Sequence, residues 1–71
     1  MTAEQSHRFA LTGKDPQGNS RTILLWRETD LIEGTVVRRV VVTVDATMNT
    51  ATVLTRAEAV EVARAMLAAA T

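Results

Sequence analysis

Hydrophobic and polar residues alternate from His7 to Thr12, with Phe9 and Leu11 on one side and Arg8, Ala10 and Thr12 on the other. This period of two predicts a first strand, about 7–12, half buried against a core. Gly13-Lys14-Asp15-Pro16-Gln17-Gly18-Asn19-Ser20 gathers most of the turn-forming residues of the chain, because proline presets φ while glycine and asparagine tolerate positive φ; it reads as a hairpin loop. The second strand, about 21–29, has consecutive apolar residues at its centre, Ile23-Leu24-Leu25-Trp26, so both of its faces should meet apolar surface. Thr29 to Gly34 is expected to connect it to a third strand, about 35–45. There Val36, Val40, Val42 and Val44 share a face with Arg38, and Val37, Val41 and Thr43 share the other with Arg39. Branching at Cβ fits these valines to a pleated surface and crowds them in a helix. Asp45 to Thr50 reads as a turn and residues 51–54 as a short fourth strand.

The period then switches to that of a helix. Thr55-Arg56-Ala57-Glu58 fits the capping box, in which the threonine hydroxyl accepts from the backbone amide three residues on and the glutamate reaches back to the cap's own amide. This predicts a helix over about 56–70. Ala59, Val60, Val62, Ala63, Met66, Leu67 and Ala70 fall on one broad arc, with Glu58, Glu61, Arg64, Ala65 and Ala68 opposite. Glu61 is placed to pair with Arg64 one turn on. The expected fold class is α+β: an antiparallel sheet of three to four strands in ββββα order, with one C-terminal helix packed across one face. The chain reads as a single domain over 1–71, with 1–5 disordered.

Length changes the picture most. A chain of 71 residues buries a smaller share of its unfolded surface than a larger domain, so its core needs reinforcement. Disulfides, a metal, unusually good packing or self-association are the usual means. With no cysteine and one histidine, self-association is the expected route, as a homodimer joined through the second sheet face or the helices. The absence of cysteine suits a reducing cytoplasm. The start of the chain shows no basic segment followed by an apolar core, so no signal peptide is expected. No apolar run approaches the roughly 20 residues that span a bilayer, since Arg38 and Arg39 divide the valine run and Glu58, Glu61 and Arg64 punctuate the helix. A cytoplasmic protein with no membrane partner is the expectation.

Catalytic apparatus is not visible. A nucleophilic triad needs a base beside its nucleophile, and the one imidazole, His7, stands near the chain start, with Ser6 in the same arm and Ser20 in a turn. Acids are scattered singly across turns, so no metal ligand set is expected. Gly13 and Gly18 have no helix N-terminus behind them, which argues against a phosphate cradle at that turn. No enzyme activity, cofactor or metal is therefore expected.

Binding is better supported. Trp26 can bury a large area and find a carbonyl for its N–H, and tryptophan and arginine are enriched at interface hot spots, so Leu24, Trp26, Arg38 and Arg39 are the candidate partner-binding residues. Arg38 and Arg39, expected on opposite faces, also suit an edge strand whose charges discourage unwanted pairing. The alternative is single-stranded nucleic-acid binding or transcription regulation, with Arg8, Arg21, Arg27 and Arg38 contacting the backbone and Trp26 stacking a base. Eight basic residues, seven of them arginine, are balanced by eight acidic ones, so no overall positive field supports that alternative. In element order alone, Arg8 to Ala70 resembles the dimeric coactivator and Whirly-type fold; that resemblance implies a homodimer binding single-stranded DNA on its strands.

Overall fold

The computed structural model describes residues 4–71. Four antiparallel strands, β1 (Glu4–Lys14), β2 (Ser20–Ile32), β3 (Thr35–Val44) and β4 (Thr52–Thr55), lie in the order β1-β2-β3-β4, followed by the helix α1 (Arg56–Ala70). This is the α+β, ββββα arrangement that the residue periods predict.

The ends of the strands depart from expectation in instructive ways. Glu4 and Gln5, expected in a disordered arm, belong to β1 and face Thr29 and Glu28 of β2; Met1 to Ala3 lie outside the described residues. The connection expected over 29–34 shrinks to Glu33-Gly34, because Asp30, Leu31 and Ile32 continue β2 opposite Val37, Val36 and Thr35. Both turn residues have positive φ, +50° and +78°. That pair of left-handed residues matches the right-handed twist of the flanking strands, which is why a two-residue hairpin can close here. At the other end of β3 the chain leaves the sheet at Val44. Asp45 and Ala46 turn left-handed (φ +52° and +55°), a 3-10 turn follows at Met48–Thr50, and pairing resumes only at Thr52. The Thr50 hydroxyl accepts from the Val44 amide at 2.9 Å, tying the turn to the strand end.

Register decides which side chains share a face, since residues paired across a ladder point the same way. Phe9 pairs with Leu25, which pairs with Val42; Leu11 pairs with Ile23, which pairs with Val44. Arg27 and Val40 join this side, here called the Phe9 face. Ala10, Leu24 and Thr43 line up across the other side, as do Trp26, Val41 and Val53; this is the Trp26 face. Between Ser6 and Phe9 the register slips, with His7 and Arg8 together opposite Trp26. This is a β-bulge, with His7 at φ +53°, and it swings Arg8 onto the Trp26 side.

α1 starts with the expected capping box: the Glu58 amide donates to the Thr55 hydroxyl at 3.2 Å and the Thr55 amide to the Glu58 carboxylate at 2.9 Å. The expected Glu61–Arg64 pair is not formed; among the described residues, ion pairs link only Arg21 with Asp15 and Asp45. Both Glu61 and Arg64 are exposed, where water solvates each charge at no cost in side-chain entropy. The helix backbone approaches β3 and β4 and no other strand. The result is an elongated shape, 46 × 26 × 18 Å, with a radius of gyration of 13.9 Å. A compact chain of this length is expected near 11 Å, roughly.

The core is correspondingly small. Among the described residues Val41 is the one buried hydrophobic, at 5% exposure, and Thr43 beside it on the Trp26 face is buried at 1%. On the Phe9 face, Phe9 (53%), Leu11, Leu31, Val36 and Val44 are exposed. So are Val60, Val62, Met66 and Leu67 of α1.

Candidate functional site

Two polar constructions and one groove stand out on this frame. The first closes the end of the sheet where the β1–β2 loop meets the end of β3. Asp15 Oδ1 accepts the amides of Gln17 and Asn19 at 3.0 and 2.9 Å, shaping the turn through its own side chain. Asp15 Oδ2 takes two guanidinium bonds from Arg21, at 3.2 and 3.0 Å, and a third reaches Asp45 at 2.9 Å. Asp45 Oδ1 in turn accepts the Thr22 amide at 2.8 Å. The amide donors, Asn19 for Asp15 and Thr22 for Asp45, and then Arg21 hold both carboxyls below the usual aspartate range; the same carboxylates hold Arg21 above its ordinary value. Arg21, an expected nucleic-acid contact, is thus a clasp between two segments of the fold.

The second centres on Trp26, half-buried on the Trp26 face. Its indole N–H donates to Glu28 at 3.1 Å, and the Arg8 guanidinium lies 5.4 Å from the ring centroid. An intrachain cation therefore covers the ring, a contact worth about 0.5–1 kcal/mol where solvent reaches it. Leu24 is on the same face, also half-buried. The exposed residues of the Phe9 face lie on the reverse side of the sheet from both.

The third is a groove of ≈ 420 Å³ where the sheet meets the first turns of α1. Arg27 from β2, Arg38 and Arg39 from β3, and Arg56 from α1 all line it, over an apolar surface that includes Val40 and Val60. Adjacent strand residues such as Arg38 and Arg39 are expected to diverge, yet both border this groove. Arg39 pairs with Thr55, the last residue of β4, and the chain turns there directly into α1, so the backbone at Arg39 stands beside the start of the helix. Arg27 Nε is buried, with no hydrogen-bond partner among the described residues. None of the four arginines takes part in an ion pair among the described residues.

The residues singled out from sequence are therefore distributed over three places. Arg27, Arg38 and Arg39 come together; Arg8 and Trp26 form a separate pair with Leu24 nearby; Arg21 stands apart in its clasp. Arg56 completes the groove and was not a candidate. Its signal lies in the capping box, since a strand that ends in the helix cap sets the first helical residue beside the partner strand.

His7 Nδ1 lies 3.0 Å from Ser6 Oγ at the bulge, and no carboxylate hydrogen-bonds to the imidazole among the described residues. No group of three or more His, Cys, Asp or Glu side chains converges among the described residues, and none of the described helices is long and apolar enough to cross a membrane. Compared with known proteins, the chain matches no protein-family model, no curated protein and no solved structure.

Proposed function

We propose that this chain is a small non-enzymatic binding module that works as a homodimer, joined through the Phe9 face of the sheet and the apolar arc of α1. One observation carries this reading, the amount of surface the single chain leaves in water. A folded monomer of 7.7 kDa exposes about 4,300 Å² by the usual scaling with mass, whereas this chain exposes 5683 Å², an excess of about 1,400 Å². Two copies burying that excess would share an interface of about 2,800 Å², within the range of permanent homodimers. The location supports the same reading, because most of the large exposed strand side chains, Phe9, Leu11, Leu31, Val36 and Val44, lie on one sheet face, against Ile32 and Val53 on the other, and α1 adds Val60, Val62, Met66 and Leu67.

The test is molar mass by light scattering over a concentration series, with Trp26 emission recorded on the same samples. A dimer at micromolar concentration with emission that does not change on dissociation fits pairing through the Phe9 face, since Trp26 lies on the reverse side. A dimer whose dissociation shifts the emission instead assigns the contact to Leu24 and Trp26. A monomer throughout would refute self-association and leave the apolar surface to a different protein.

A further inference from the structure

From the groove at the sheet corner, we infer that the chain binds a phosphate group between Arg27, Arg38, Arg39 and Arg56. Four arginine residues from three separate elements line one groove, and among the described residues no carboxylate forms an ion pair with any of them. A groove lined by cationic residues is a place where an anion is attracted. The rest of the chain shows the contrast: Arg21 is fully engaged by Asp15 and Asp45, and Arg8 is set over an aromatic ring. Glu58 is committed to the helix cap, and Glu28, which lies opposite Arg39 in the β2–β3 ladder, accepts from the Trp26 indole and forms no ion pair.

The chemistry selects phosphate over a carboxylate. A single carboxylate brings one negative charge to four positive ones, whereas a phosphate monoester carries nearly two at neutral pH and three strong acceptor oxygens. The planar fork of arginine presents paired N–H groups that match those oxygens two at a time, which lysine cannot do. A volume of ≈ 420 Å³ also exceeds what one phosphate fills and lies in the range of small-molecule sites. The apolar surface of Val40 and Val60 is there for the group that carries the phosphate. All the residues of this site come from one chain, but Arg27 and Val40 stand on the Phe9 face and Val60 on the apolar arc of α1, so the groove borders the proposed dimer contact, and the titration is read on monomer and dimer separately.

The experiment is a titration of the intact protein with pyrophosphate, followed by the arginine side-chain Nε–H resonances in NMR and by calorimetry. The resonances of Arg27, Arg38, Arg39 and Arg56 should move together while those of Arg21 and Arg64 stay fixed. Arg38→Gln and Arg56→Gln should each weaken binding by about tenfold or more, the loss typical of a charged hydrogen-bonding partner, with Arg64→Gln unchanged. Both substituted side chains are exposed, and far-UV circular dichroism verifies that each variant keeps its fold. A nucleoside monophosphate and a short thymidine oligonucleotide, run in parallel, distinguish the source of the phosphate. Tighter binding of the mononucleotide identifies a small ester; tighter binding of the oligonucleotide, falling steeply with salt, identifies a strand backbone. The inference is overturned if none of these probes binds at millimolar concentration, or if Arg64→Gln weakens binding as much as Arg38→Gln and Arg56→Gln do.

Discussion

Leu67 is 68% exposed near the end of α1, so truncating it should cost the single chain almost nothing while costing a dimer a great deal. Burying a leucine side chain fully is worth about 1.5–3 kcal/mol, and the share still open at Leu67 brings that to about 1–2 kcal/mol per copy. A twofold dimer contains the residue twice. Leu67→Ala should therefore weaken dimerisation by about 2–4 kcal/mol, a rise in Kd of roughly 30- to 1,000-fold. Folding of the separated chain should change by less than about 0.5 kcal/mol, since the position is exposed and alanine is a good helix former. Sedimentation equilibrium across a broad concentration range measures the first quantity, and urea unfolding below the dissociation constant measures the second. Phe9→Ala, on the sheet side of the same surface, should behave in the same direction. If both variants dissociate at the wild-type concentration, the contact does not run through these residues and the surface reasoning above is wrong.

The clasp predicts a pH dependence. Asp15 and Asp45 are held below the ordinary aspartate value of 3.8, so their contribution is complete above that value and is lost as pH falls through their depressed values. Thermal unfolding between pH 6 and 2, roughly, should show an acid limb that Asp45→Asn flattens; an unchanged limb would assign acid lability to other groups. Thr55→Ala removes the hydroxyl that accepts the Glu58 amide and should destabilise the chain by about 1 kcal/mol, read as a lower urea midpoint with unchanged slope. Ala46, left-handed at φ +55°, bears a strain of about 1–2 kcal/mol that glycine relieves while loosening the unfolded chain. Ala46→Gly should thus stabilise by about 0.5 kcal/mol in the same assay. Gly34→Val, at φ +78°, should have the opposite sign and exceed about 1 kcal/mol, with an unaffected midpoint counting against a strained hairpin turn.

Sequence periodicity alone carried the element order. Alternation at Phe9 and Leu11, the branched run from Val36 to Val44 and the capping box at Thr55 are local signals, each arising from backbone preferences that neighbours three or four residues away already decide. The turns were less readable, because a left-handed residue need not be glycine: Glu33 takes that conformation under the demand of strand twist in the two-residue hairpin, and Asp45 and Ala46 take it where the chain leaves β3. The bulge at His7 and Arg8 is likewise invisible in the residue types, since it depends on how β1 must realign to bring Phe9 opposite Leu25. The two-sided apolar strands did foretell a surface in search of cover, but they could not say which face stays open. Register and the direction of α1 decide that: Phe9, Leu11, Leu31, Val36 and Val44 stay exposed on one face, while Trp26 on the other is covered by Arg8. The arginine groove belongs wholly to tertiary structure. Arg27, Arg38, Arg39 and Arg56 lie on three elements and share no period, and only the pairing of Arg39 with Thr55 at the foot of the helix draws them to one place.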